Sequence, residues 1–373
     1  MHIRPFATEQ FFARYEFTTP HLLSVSDCET VSVSELLALS GTAPEELGRL
    51  RLGYTESPGN PALREAIAAA YVGVHPDEVV VLGSPVEGIF LTLHALIGPE
   101  DEAVVLMPAY DALFNVAEHL GARAHRWDLK PTEGGWALDW DALPGLVNAR
   151  TRLLVVNFPH NPTGFLPTPE AFDRLIGFAA ERGLWLFCDE MYRGLELSGA
   201  ALPSAADAVA RGVTLSGLSK AHGLPGLRFG WVVIRDAELR ARFINWKHYT
   251  SICPPAPGEF LALAALNACY ASLARTRRRA RDNVARADAF FARWPDAFDW
   301  RAPQAGSVAL VGVAAPSAER YCHELARDAG VLLLPGTCLG HADTHVRFGF
   351  GRAAFPEALA HYEAYLKAAA SVS

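Results

Sequence analysis

Lys220 stands among small and apolar residues in the run SGLSKAHGLPGLRFG, just past a short apolar stretch, GVTLS, that reads as a strand. A lysine desolvated in such surroundings loses basicity and becomes a nucleophile toward carbonyl carbon. Taken alone it reads better as a surface lysine opening a helix. Arg228 changes that reading, because it follows in the same glycine-rich segment, as Gly-Leu-Arg-Phe-Gly. Its planar fork grips phosphate oxygens, so the pair suits an aldehyde cofactor that also carries a phosphate. Asp189 closes the run GLWLFCD, which reads as a strand buried on both faces. An unpaired buried carboxylate is costly, so it needs a cation such as a protonated ring nitrogen, unless it merely caps the turn DEMYRG. Tyr192, three residues on, and Asn161, in the turn Asn-Pro-Thr-Gly, are the candidate donors to a ring oxygen. Each also has an ordinary reading, as packing and as loop chemistry.

The elements that must position these residues can be read from periodicity. Between about residues 61 and 235, helical patterns alternate with short, β-branched apolar runs: EVVVL, EAVVLM, ARAHRW, TRLLVVN, GLWLFCD, GVTLS and GWVVI. That is the pattern of an α/β fold with a mostly parallel sheet covered on both faces. In an open parallel sheet, ligands bind outside the carboxyl ends of the strands. Asn161, Asp189, Tyr192 and Lys220, each just past such an end, are therefore expected in one crevice. A long helical stretch, roughly 236–293, then precedes a second set of short strands, SVALVGV, VLLLPG and THVRFGF. The expected division is an N-terminal segment (1–50) packing on a small domain and the substrate site, a large domain (51–250), and a linking helix with the small C-terminal α/β domain (251–373).

The ordered set Asn161-Pro-Thr-Gly164, Asp189-Glu-Met-Tyr192, Ser219-Lys220 and Gly226-Leu-Arg228-Phe-Gly230 resembles the class I/II, fold-type I aminotransferases that depend on pyridoxal 5′-phosphate (PLP). The resemblance runs through nearly the whole chain. It implies that Lys220 carries the cofactor as a Schiff base and shuttles a proton, and that Asp189 pairs with the pyridine nitrogen. It further implies that Asn161 and Tyr192 hold the 3-oxygen, with Asn161 also near the substrate, and that Arg228 holds the phosphate. By the same resemblance Tyr110 stacks on the ring, Tyr54 reaches the phosphate of a neighbouring subunit in a homodimer, and Arg347 clamps the substrate carboxylate. The substrates implied are an amino acid and a keto acid.

Two segments depart from the family pattern. Ser84-Pro85-Val86-Glu87 reads as a capping box with proline at the first helical position, so it starts a helix well. Pro85 nevertheless lacks an N–H for phosphate, Val86 lacks a hydroxyl, and Gly217 stands where a phosphate-binding serine is common. Phosphate binding is expected to lean on Arg228, Ser84, Ser219, Tyr54, the N–H groups of Val86 and Glu87, and the helix dipole. PLP is expected to bind less tightly than in a typical relative. The second departure, HLLSVSDCETVSVSELLAL, brings Ser24, Ser26, Asp27 and Glu29 where a glycine-bearing loop is usual. It resembles the capreomycidine synthase-like branch, which implies arginine-derived substrates and cyclisation, with Ser24 and Asp27 as candidate substrate contacts. The leading reading is amino-group transfer to a keto acid; the alternative is a PLP-dependent cyclase, lyase or oxidase.

Composition narrows the function classes. The 373 residues are 50% apolar and 20% charged, an ordinary enzyme profile, and the formal charge of −8 disfavours nucleic acid and acidic membranes as partners. Cys28, Cys188, Cys253, Cys269, Cys322 and Cys338 form no Cys-x-x-Cys pair, so neither a disulfide framework nor a metal site is expected. No apolar run reaches membrane-spanning length and the first residues show no secretory pattern, which places the expected location in the cytoplasm. A regulatory scaffold retaining the fold is disfavoured, because the full set of chemistry-bearing residues is present and no basic module is visible.

Overall fold

The computed structural model describes residues 3–199 and 201–370. The seven apolar runs form one sheet: β1 (Val79–Leu82), β2 (Glu102–Met107), β3 (Arg123–Asp128), β4 (Thr151–Asn157), β5 (Trp185–Asp189), β6 (Gly212–Gly217) and β7 (Gly230–Ile234). Their spatial order is β1-β7-β6-β5-β4-β2-β3. β1, β2, β6 and β7 are buried along their whole length, and alternate residues feed two cores. Val105, Val155, Phe187 and Val213 face one, while Val104, Leu154, Leu186 and Cys188 face the other. The edge strand β3 is mostly open to solvent.

The sheet is mostly parallel, as expected, and one strand is the exception. β7 runs antiparallel to both β6 and β1. The connection between β6 and β7, residues 218–229, contains no α-helix, only the 3-10 turn Pro225–Leu227. A parallel return usually runs through a helix that packs on the sheet, and this segment supplies none. The helical stretch after β7 resolves into three helices, Ala237–His248, Ala256–Asn267 and Cys269–Phe291.

The second sheet has four strands, ordered Phe298–Asp299, Val308–Val313, His345–Gly349 and Leu334–Pro335. Residues from the beginning of the chain join its core. Phe11 and Leu23 pack with Phe290, Phe348 and Tyr362, and His21–Leu22 pairs in parallel with Val331–Leu332. The segment continues against residues 349–351, where Gly349 N donates to Leu23 O (2.7 Å) and Glu29 N to Gly351 O (2.9 Å). Side chains at Gly349 and Gly351 would collide with the carbonyls of Val25 and Asp27, so only glycine allows so close an approach. This contact fixes where residues 24–27 enter the space between the two sheets.

Candidate active site

β4, β5 and β6 point the same way, with Asn157 in register with Asp189 and Asp189 with Leu215. At their carboxyl ends lies a cavity of about 530 Å³ whose wall includes Lys220, Asp189, Asn161, Tyr192, Ser219, Arg228, Arg347, Tyr110, Val86 and Asp27. The topology thus gathers most of the residues expected from sequence.

The Lys220 amine donates to Ser26 Oγ at 2.8 Å. Burial lowers its pKa from that of an ordinary lysine, with Arg347 and Arg228 pushing the same way and Asp27 opposing. The amine is thus held by a hydroxyl rather than neutralised by a carboxylate. Asp189 Oδ1 accepts from Met191 N at 3.0 Å, so it does cap the turn that follows. Its carboxyl nevertheless has no ion pair among the described residues, and burial raises its pKa to about 6. The cost of burying this charge is left for a cation inside the cavity to offset.

Asn161 is positioned through its neighbours: Asn157 Nδ2 donates to Asp189 O (2.8 Å), and Asn157 Oδ1 accepts from Asn161 N (2.7 Å). Asn161 Oδ1 accepts from Arg347 Nη1 at 3.2 Å, which leaves the amide N–H groups for the cavity. Arg347 is only 1% exposed, yet it forms no salt bridge among the described residues. Its Nε and Nη2 donate to the Ser24 carbonyl at 3.2 and 2.9 Å. The Tyr192 hydroxyl is buried near Ser26 without a hydrogen bond of normal geometry, and the Ser219 hydroxyl is buried without a partner. Orphaned polar groups of this kind are rare in protein interiors, and here several of them face one cavity.

Where the phosphate is expected, the capping box read from Ser84 and Glu87 is not formed. Ser84 makes no cap to its helix; its Oγ accepts from Arg228 Nη2 at 3.0 Å. Glu87 instead accepts from Gly83 N (3.2 Å) and Thr250 Oγ1 (2.7 Å). The guanidinium competes successfully for the hydroxyl because a charge-assisted bond is stronger than a neutral one. Arg228 adopts a left-handed conformation, φ 52°, of the sort that functional sites store. Gly217 and Pro85 prove to be one feature, since a Cβ at 217 would lie 2.8 Å from Phe229 O and 3.1 Å from Pro85 Cγ. Proline at the helix start fills the space that a serine at 217 would need.

Some expected residues stand elsewhere. Tyr54 is 91% exposed and outside the cavity of this single chain. Asp27 is ion-paired with Arg352, and Glu29 accepts from Ala353 N (2.6 Å). Ser24 meets Arg347 through its carbonyl, and its hydroxyl is buried without a partner. His160 is bonded to Thr163 (2.8 Å), a bystander to the cavity.

Glu9, Phe12 and Glu16 were not legible as site residues. They come from the Ala7–Tyr15 helix and its C-cap, at positions i, i+3 and i+7, a spacing that puts them on one face. The helix is pinned by Asp111, which accepts from Ala7 N (2.9 Å) and Thr8 Oγ1 (2.6 Å). Tyr110 donates to Glu9 at 2.8 Å. Burial raises the Glu16 pKa, and Asp27 and Glu9 raise it further.

These residues fit a phosphorylated pyridine aldehyde. The Lys220 amine, of lowered pKa, would meet the aldehyde; the Asp189 carboxylate, buried without a cation, would meet the ring nitrogen; and two unsatisfied donors, Tyr192 and Ser219, would meet its oxygens.

Comparison with known proteins agrees. The sequence model of a family described as aminotransferase class I and II matches residues 23–362. Capreomycidine synthase of Streptomyces vinaceus is 34% identical over 316 residues, 84% of this chain and 79% of that protein. An arginine–pyruvate transaminase of Pseudomonas aeruginosa is 30% identical over 319 residues, 81% and 79% of the two chains. Among solved structures, a PLP-dependent cyclase, OrfR, superposes with a TM-score of 0.91 at 29% identity over 98% of both chains.

Proposed function

The chain belongs to the aminotransferase class I and II family and is a PLP-dependent aminotransferase; from that premise we propose that its amino donor is an L-amino acid with a cationic side chain. One observation carries this reading: the charges left unbalanced across one cavity. Arg347 is buried with no carboxylate, and Glu9 and Glu16 face the same space with no ion pair among the described residues. An amino acid bearing a carboxylate at one end and a cation at the other would balance both. The printed name of the Pseudomonas relative, an arginine transaminase, points the same way.

Bound PLP supplies the electron sink for cleavage of a bond at the substrate α-carbon. In this reading Lys220 would hold the cofactor and move the α-proton, with Ser26 steering its amine. Asp189 would hold the ring nitrogen protonated, Asn161 and Tyr192 would hold the ring oxygen, and Arg228, Ser84 and Ser219 would hold the phosphate. Tyr110 would cover the ring and Arg347 would fix the substrate carboxylate. Ser24 orients Arg347, and Asp27 fixes Arg352 beside the substrate. The reading includes a cytoplasmic homodimer. Leu52, Tyr54, Tyr249 and Ile252 are all exposed, which supports a second copy against that face with Tyr54 reaching its site.

A second reading, a cyclase, lyase or oxidase on a modified basic amino acid, is favoured by the names of the synthase and the cyclase among the similar proteins. A panel of amino acids separates the two. Transfer converts the bound cofactor to its amine form, a keto acid restores it, and mass spectrometry finds the matching keto product. Loss of water or ammonia, or peroxide release, without that cycle establishes the second reading. No reaction with basic amino acids, alongside turnover of acidic or aromatic ones, would overturn the proposed substrate class.

Two substitutions give further expected outcomes. Arg347→Gln should lower kcat/KM by about 30-fold or more, mostly through KM, as loss of one partner of a buried charge pair costs roughly 2–5 kcal/mol. Steady-state kinetics on the preferred amino acid checks it. Glu16→Gln should raise KM for basic amino acids roughly tenfold and leave neutral ones nearly unchanged. Because its pKa is raised, Glu16 loses its charge at a higher pH than an ordinary glutamate does. The KM for a basic substrate should therefore climb on acidification earlier in the parent than the usual carboxylate range implies, and that limb should be missing in Glu16→Gln.

A further inference from the structure

A second cavity, of about 230 Å³, lies on the Cys269–Phe291 helix and shares no lining residue with the first. Four guanidiniums line it, those of Arg275, Arg278, Arg279 and Arg286, against the single carboxylate of Asp282. Its far wall is Ala353 and Pro356, where the Phe355–Ala370 helix begins. None of the four arginines forms a salt bridge or hydrogen bond among the described residues. Arg275 Nε and Nη2 and Arg279 Nη1 are buried with no acceptor. The neighbouring Arg281 behaves differently, since it donates to the carbonyls of Leu197 (3.0 Å) and Glu196 (3.3 Å).

Physical chemistry makes this arrangement unfavourable as it stands. Like charges at i, i+4, such as Arg275 and Arg279, repel, and a buried donor without an acceptor costs its desolvation. The excess of positive charge is also local, because the chain as a whole carries −8. An anion would relieve both costs, and the start of the second helix adds a positive dipole end to the same cavity. Several planar forks converging on a small concave space suit a compact, multiply charged oxyanion. A duplex or a membrane would need an open basic face, which the overall charge does not supply.

We propose that this cavity is a binding site for a small phosphate-class anion, separate from the cofactor's own phosphate site. The experiment is a titration of the PLP-loaded enzyme with inorganic phosphate and with pyrophosphate, at constant ionic strength in chloride buffer, read by calorimetry and thermal unfolding. Using holoenzyme keeps the cofactor's phosphate site filled, and an unchanged cofactor absorbance verifies it. Saturable binding with one equivalent per chain is expected, with a rise in Tm of about 2 °C or more near saturation. In the double variant Arg279→Gln/Arg286→Gln that rise should vanish. Without phosphate this variant should melt no lower than the parent, because like charges have been removed. Failure of phosphate and pyrophosphate to bind saturably, or an undiminished response in the double variant, overturns the proposal. A lower melting point of the variant in chloride together with an unaltered response assigns the arginines to the fold alone, and also overturns it. Should the double variant not fold, Arg286→Gln, at an exposed position, replaces it. It should weaken phosphate binding about fivefold, and unaltered affinity counts against the site.

Discussion

Lys220→Ala should fold, take up PLP only reversibly, and turn over amino acids about 10⁴-fold more slowly than the parent. The magnitude follows from what one side chain is asked to do. A positioned general acid–base contributes roughly 10²- to 10⁴-fold, and in the proposed mechanism the same amine would also carry the cofactor covalently. The protein prepares that amine in two ways, by desolvation that lowers its pKa and by the hydrogen bond from its amine to Ser26. Borohydride treatment of the parent should attach a pyridoxyl label to residue 220, and the variant should yield none. Added methylamine should restore part of the variant's rate, since a free amine can replace a missing proton carrier but cannot mend a damaged fold. Parent-like turnover in Lys220→Ala, or a label at another lysine, would remove the basis of the proposed chemistry.

Asp189→Asn is the second large effect, with a drop in kcat of about 10²-fold or more and little change in structure. Asparagine keeps the shape and can still accept from Met191 N, so the variant isolates the charge. Loss of one member of a buried ion pair costs roughly 3–5 kcal/mol, which corresponds to more than a hundredfold in rate if the pairing is needed for turnover. A stability measurement separates this role from a purely structural one. In the folded protein without cofactor, burial raises the Asp189 pKa from 3.8 to about 6. The folded state then holds the proton more tightly than the unfolded state does. Stability is therefore lost as pH rises from about 4 to 6 and stays lower above that. The cofactor-free variant should accordingly be more stable than the cofactor-free parent at pH 8, by up to about 3 kcal/mol, the equivalent of that shift. With PLP bound the order should reverse, because only the carboxylate gains a cation. Denaturant unfolding of both proteins, with and without PLP, checks the reversal; equal responses to PLP would show that residue 189 does not pair with the ring.

The acidic wall and the reaction outcome are linked. In the proposed reading, a cationic side chain held by Glu9 and Glu16 would sit at a fixed distance from an α-carbon placed by Arg347 and Lys220. The same contacts would then set whether that side chain stays out of the way, as transfer requires, or turns back onto the substrate skeleton, as ring closure requires. Glu16→Gln therefore bears on product identity as well as KM.

Sequence alone determined the α/β sheet and the crevice at its carboxyl edge, because both follow from local information. Strand period, short turns and polar residues just past strand ends are set within windows of a few residues, and parallel strands must then bring Asn161, Asp189 and Lys220 together. Contacts between distant parts of the chain were decided only by the tertiary structure. The Ala7–Tyr15 helix reaches the site because Asp111 and the small-sheet core hold it, which no nearby residue announces. Asp27 faces an arginine 325 positions away, and Ser24 offers its carbonyl, not its hydroxyl, to Arg347. Ser84 has the local signature of a helix cap, yet it is claimed by Arg228 from the loop that leads into the neighbouring strand. Local propensities are worth around 1 kcal/mol each, so a charged group arriving from elsewhere in the fold can outbid them, and it does so where the cavity gathers its charges.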